Sequence, residues 1–195
     1  MTVEQERELI QKVLGGDQST FKTLVQQYER LVLHIVTPLI GVSEDREDIC
    51  QDIFIKVYKG LRSFKQNSRL STWIGNIAYN TSLNFLRKKK PVLLEDLKPV
   101  SSENEGSLTT NSPYNEIVSM KKATTPEIDL INKEIKFTIS EAIDKLPEMQ
   151  RLTIILFHLE ELSLREIGNI MSLPENTVKS HLFRGRNKLK ELINL

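Results

Sequence analysis

The chain has 195 residues, of which 39% are hydrophobic, 27% charged and 6% aromatic, with eight glycines, seven prolines and one cysteine. That composition can bury a core, and it excludes a chain disordered throughout, a disulfide framework and a cysteine-rich zinc site. Its net charge of +1 conceals a strong asymmetry along the sequence.

The opening MTVEQERELIQK lacks the basic-then-apolar layout of an export signal. The longest apolar stretch, 31–40, is broken by His34, Thr37 and Pro38 and is too short to span a bilayer. The expectation is therefore a cytoplasmic chain with no membrane insertion. Asp17 is placed to N-cap a helix carrying Phe21, Leu24, Val25, Tyr28, Leu31, Val32 and Ile35. Pro38 is expected to end it near Thr37, because the residue before a proline is pushed out of the helical region. Ser43, Glu44 and Asp45 start the next helix, whose inner face would be Ile49, Ile53, Val57 and Leu61. A further helix is expected over 71–89, ending in basic residues that suit the negative end of the helix dipole.

From 91 to 126 the sequence turns polar and rich in Ser, Thr, Asn, Gly and Pro, and reads as a flexible linker. Such a segment could reach roughly 120 Å fully extended at about 3.3 Å per residue. Thr125-Pro126-Glu127 then opens a helix with proline at its first position, and the remainder reads as helices near 127–145, 148–160, 163–171 and 175–193. No strand pattern and no internal repeat is visible. The fold class expected is all-α: a helical domain over 1–90, the linker 91–126, and a second helical domain over 127–195.

Within that second domain, Ser163-Leu164-Arg165-Glu166 is a capping-box pattern. A short break at Ser172-Leu173-Pro174 separates it from a last helix with Val178, Leu182, Gly185 and Leu189 on one face. Lys179, Ser180, Phe183, Arg184 and Asn187 fall on the other. An aromatic among cations and amides on an outward face suits contact with a base edge or thymine methyl, the pattern of a recognition helix in a major groove. The plainer alternative is a helical hairpin whose Phe183 packs on a neighbour.

Charge supports the nucleic-acid reading. Residues 43–52 hold five acids against one base, 53–90 hold nine bases and no acid, and 175–195 hold five bases against two acids. Two separated basic stretches suggest two contacts with a polyanion rather than two solvated helix faces. The loop Lys65, Gln66, Asn67, Ser68, Arg69 and the helix after it, with Trp73, Asn76, Tyr79, Asn80 and Asn84, mix amides, aromatics and cations in the way that suits unstacked DNA bases. Trp73 is read as core; Tyr79 stays open between core and interface.

The segments DREDICQDIFIKVYKGL, SFKQNSRLSTWIGNIAYNTSLNFLRKKK and LPEMQRLTIILFHLEELSLREIGNIMSLPENTVKSHLFRGRNKL together resemble the extracytoplasmic-function sigma factors of bacterial RNA polymerase. The resemblance covers about three quarters of the chain and implies core RNA polymerase, promoter DNA and an anti-sigma factor as partners. It implies that Asp45, Glu47, Asp48, Gln51, Asp52 and Phe54 bind the polymerase. It further implies that Lys65, Gln66, Asn67, Ser68, Arg69, Asn76 and Asn80 hold the melted minus-ten element. Lys179, Ser180, Phe183 and Arg184 would read the minus-thirty-five element. Gln66, Asn67, Leu70 and Ser71 depart from the family's usual loop residues, and Gly75 is expected to loosen its helix locally.

No glycine-rich phosphate loop, nucleophile elbow or metal quartet is present, so neither catalysis, a metal nor a cofactor is expected. Cys50, His34 and His158 are read as structural, and His181 as within reach of phosphate. The competing reading is a stand-alone helix-turn-helix regulator that binds duplex DNA without polymerase; a third is a helical RNA-binding protein.

Overall fold

The structure, a computed structural model, describes residues 3–89 and 126–193, and of residue 3 and of 126–134 the backbone alone. Except for its last residue, the expected linker lies outside the described residues. Every regular element described is helical: α1 (Val3–Leu14), α2 (Gln18–Leu39), α3 (Ser43–Gly60) with a following 3₁₀ turn (Leu61–Ser63), α4 (Leu70–Lys89), α5 (Pro126–Asp144), α6 (Glu148–His158), α7 (Leu164–Met171) and α8 (Glu175–Ile193). No helix among the described residues is long and apolar enough to cross a membrane.

In the N-terminal half, Asp17 caps α2 as expected, its carboxylate accepting from the backbone N–H groups of Ser19 and Thr20. Ile49, Ile53, Val57 and Leu61 are all buried. Two features differ from the sequence reading. Helix α1 has no counterpart among the expected elements; it packs through Ile10 and Val13, with Leu9 beside them, a short apolar face of one turn. Helix α2 also does not stop at Thr37 but runs through Pro38 to Leu39. Pro38 and Leu39 are buried, the Ile40 N–H closes the last turn on Val36 O, and Arg46 donates to the carbonyls of Ile40 (2.7 Å) and Gly41 (3.0 Å). Tertiary burial and a side-chain cap outweigh the local preference before proline.

In the C-terminal half, α7 carries the full capping box: the Glu166 N–H donates to Ser163 Oγ (3.2 Å) and the Ser163 N–H to Glu166 Oε2 (2.9 Å). It ends on Ser172 in the left-handed region (φ 56°), with the Leu173 N–H on Gly168 O (3.0 Å). A Cβ at Gly168 would lie 2.8 Å from the Leu173 carbonyl oxygen, so glycine is what lets this turn close.

The two halves share one core. Leu24, Ile35, Ile74 and Ala78 belong to the same buried cluster as Leu152, Leu156, Ile167 and Ile170. A smaller cluster (Ile143, Leu146, Ile154, Ile155, Leu182) holds α5, α6 and α8 together. The expectation for Gly75 is corrected here: it is not a loose point but a point of close approach, where a Cβ would meet Ile170 Cδ1 at 2.8 Å.

Two measurements test this account. Ser163→Ala should lower stability by about 1 kcal/mol, as a shift of the urea midpoint at unchanged slope. Hydrogen bonds from Thr20 and Ser19 hold the Asp17 carboxyl down from 3.8 to about 2. A lowered folded-state pKa contributes stability above the unfolded value that is lost as pH falls through the folded one. The difference between wild type and Asp17→Ala should therefore be present above about pH 4 and shrink toward about pH 2, read by urea unfolding across that range.

Candidate nucleic-acid interface

Helix α8 buries Val178, Leu182 and Gly185 and turns Lys179, Ser180, Phe183 and Arg184 to solvent. Phe183 is 65% exposed, the largest exposure among the large apolar side chains described. The hairpin alternative, in which Phe183 packs on a neighbour, does not fit that exposure. Arg186, on the same basic helix, is turned back: its guanidinium lies 5.1 Å from the Phe157 ring and its Nε donates to His158 Nε2 (3.3 Å). Burial first, then Arg186, lowers the His158 pKa, so the imidazole stays neutral and free to accept. His181 is lowered by burial and by Arg184, which leaves it little charge for a phosphate at neutral pH.

The loop from Lys65 to Arg69 is exposed throughout. Gln66 sits in the left-handed region (φ 56°), and its side-chain oxygen accepts from Arg7 Nε at 2.7 Å. Glu6 Oε2 accepts the Leu70 N–H (3.5 Å) where α4 begins. Both partners come from α1, and both escaped the sequence reading because they lie 59 and 64 residues away. Asn76 and Asn80 stand one turn apart, the Asn80 amide donating to Asn76 O and Oδ1 (3.0 Å each). Asn76 is half-buried against the C-terminal half, donating to Asn169 O (2.9 Å) and Ile170 O (3.3 Å). Trp73 is half-buried against Phe64, ring centroids 5.0 Å apart. Tyr79, left open above, is buried.

On α3, Glu47, Asp48, Gln51 and Asp52 are exposed, with Asp52 paired to Lys56 (2.7 Å). Asp45 is half-buried and paired to Lys89. Beside them runs a groove of about 840 Å³ lined largely by Val13, Phe21, Val25, Cys50, Phe54 and Tyr58. Ile55 and Tyr58 stand at its edge, 51% and 52% exposed. An acidic helix is thus flanked by open apolar surface, an arrangement suited to an interaction site. Charge counting singled out the acids and missed Ile55 and Tyr58; their signal was apolar residues off the core face of α3.

Residues 24–92 match the family model for Sigma-70 region 2, and residues 136–189 that for Sigma-70, region 4. The ECF RNA polymerase sigma factor SigW of Bacillus subtilis (strain 168) is 36% identical over 182 residues, 93% of each chain. The ECF RNA polymerase sigma-E factor of Escherichia coli (strain K12) is 34% identical over 189 residues, covering 95% of this chain and 94% of its own. The chain belongs to the extracytoplasmic-function sigma factors. Among solved structures, the sigma factor RpoE of Bartonella quintana, in complex with the anti-sigma factor NepR, matches with a TM-score of 0.62 at 21% identity, covering 90% of this chain and 97% of that one. CnrH, in complex with the cytosolic domain of CnrY, matches with a TM-score of 0.58 at 18% identity over 96% of both chains. These two share the all-helical fold. As a sigma factor, the protein directs promoter-specific transcription initiation by core RNA polymerase. The two matched segments together contain every polymerase- and promoter-contacting residue expected from the sequence.

Cys50, half-buried in the wall of the groove, is the sigma factor's one thiol. Burial, with Glu29 and Glu47 nearby, pushes its pKa up to about 11. At pH 8 the native thiol should alkylate roughly a hundredfold more slowly than the same thiol in urea, followed with iodoacetamide and mass spectrometry.

Proposed function

We propose a division of labour among three surfaces. Helix α8 enters the major groove of the minus-thirty-five element, where Phe183 contacts a base edge or methyl group and Lys179 and Arg184 contact phosphate and base. The 65–69 loop and the Asn76–Asn80 face of α4 hold the unstacked minus-ten strand through amide contacts and cation pairing. The acidic face of α3 (Asp45, Glu47, Asp48, Gln51 and Asp52), with Phe54 and the neighbouring groove, docks on a basic surface of core polymerase. An anti-sigma factor competes for these surfaces. The chain supplies recognition and no catalysis, and it acts in the cytoplasm, where the polymerase works.

The observation that carries this reading is the exposed Phe183 among exposed Lys179, Ser180 and Arg184, on a helix whose other face is fully committed to the core. A solvated helix has no use for an unpacked phenylalanine, whereas a base-reading helix does. Neither module presents enough surface for tight binding alone; core polymerase fixes their separation and converts two weak contacts into one strong one.

Run-off transcription with reconstituted holoenzyme tests the division. Phe183→Ala combined with Arg184→Ala should cost about 1–3 kcal/mol per lost base contact, so that transcription loses its dependence on the minus-thirty-five sequence while polymerase binding stays intact. Asp48→Lys combined with Asp52→Lys should abolish polymerase binding instead, measured by co-elution. The same defect from both pairs would defeat the scheme. Lys179→Ala should weaken holoenzyme binding uniformly across promoters and reduce the slope of log affinity against log salt by about 1.

A further inference from the structure

The loop between α3 and α4 is braced from outside by α1. That helix is anchored through buried Ile10 and Val13 and sends two consecutive side chains to the loop. Glu6 Oε2 accepts the Leu70 N–H (3.5 Å) where the loop passes into α4, and Arg7 Nε donates to Gln66 Oε1 (2.7 Å) within it. Gln66 stands in the left-handed region, φ 56°, a conformation that glycine adopts freely and a residue with a Cβ does not. The residue placed there nevertheless carries a long side chain, and Arg7 holds that side chain by its end.

Held in this way, the amide has one sense only. A guanidinium has N–H donors and no acceptor, so the atom facing Arg7 is the amide oxygen and the NH2 group is the one left over. Among the described residues nothing else hydrogen-bonds the Gln66 side chain, and the residue is exposed. What it offers a nucleic-acid strand is therefore a pair of N–H donors. A free glutamine pairs with adenine at two points, its oxygen accepting from the adenine amine while its NH2 donates to a ring nitrogen. Arg7 opposes that pairing, because an amine brought to the same oxygen meets the hydrogens of the cation already bound to it. The exposed donors suit a base carbonyl instead. Thymine, cytosine and guanine each carry at least one carbonyl oxygen, and adenine carries none.

We infer that Arg7 is a positioning residue for minus-ten recognition: by holding Gln66 Oε1 it makes the amide a donor, so that the loop selects a base with a carbonyl oxygen and discriminates against adenine. This rests on the proposed role of the 65–69 loop in holding the unstacked strand. Arg7 acts through Gln66 and need touch no base itself.

The test is a base preference. Holoenzyme reconstituted with the full chain transcribes a pool of barcoded promoters with randomised minus-ten positions, and transcript counts give the preference at each position. The unmodified chain should show one position where adenine is used about tenfold less than the best base. Arg7→Met, of similar reach but without a donor, should raise adenine there by about tenfold and leave the other positions as they were. Arg7→Lys, which still donates and cannot accept, should keep adenine out. Gln66→Glu puts an oxygen where the NH2 was and should admit adenine through its amine. Gln66→Gly, which keeps the left-handed turn and removes the amide, should flatten the same position. A position that Gln66→Gly flattens but Arg7→Met leaves unchanged overturns the inference. So does an Arg7→Met defect that falls equally on every position or is reproduced by Arg7→Lys, and so does adenine preferred there by the unmodified chain. Should Gln66→Gly alter no minus-ten position at all, the loop does not read the strand, and it is the functional reading beneath the inference that fails.

Discussion

The close approach of α4 and α7 governs most of what surrounds it. A helix can lie this near another only where one of them lacks a Cβ, and Gly75 supplies that gap for Ile170. Once Ile170 is seated, Ile167 and Leu156 from one half fall into the same buried cluster as Ile35, Ile74 and Ala78 from the other. Burial of side chains this size contributes about 1.5–3 kcal/mol each. The exposed part of the junction is polar and correspondingly weaker. Arg69 and Glu166 are 3.7 Å apart with Arg69 72% exposed, a geometry that contributes little.

Glu160 is different in kind. Its side chain is 12% exposed and takes an arginine and a buried histidine from the opposite half. A carboxylate so placed is costly to leave unpaired, so this contact penalises partial separation more than it rewards closure. The apolar plug, the amide cap and the ion pair all lie at this one junction.

The side proposed to dock on polymerase obeys a separate logic. Helix α3 commits Ile49, Ile53 and Val57 to the core, leaving its acids on the solvent side together with exposed Ile55 and Tyr58, and half-buried Phe54 beside them. Charge there steers an approaching basic partner, while the apolar groove provides area that water would rather not cover. Neither surface involves α7 or α8.

How much of this was legible beforehand follows from how far apart the interacting residues are. The helix faces, the Asp17 cap and the Ser163–Glu166 capping box could be read from the sequence because each depends on residues within about one or two turns. The outward set Lys179, Ser180, Phe183 and Arg184 followed from the same periodicity, since a face that is not core must be surface. Periodicity says that a face is buried but not against what. The extension of α2 through Pro38 depended on Arg46, the anchoring of Gln66 on Arg7, and the pairing of His34 on Glu160, 126 residues away. Gly75 shows the limit most sharply: by propensity it weakens a helix, and only the arrival of Ile170 from the other half turns the missing side chain into a fit. Local order was set by the chain's own repeat of apolar and polar residues, whereas which halves meet, and which amide is covered when they do, was decided by packing in three dimensions.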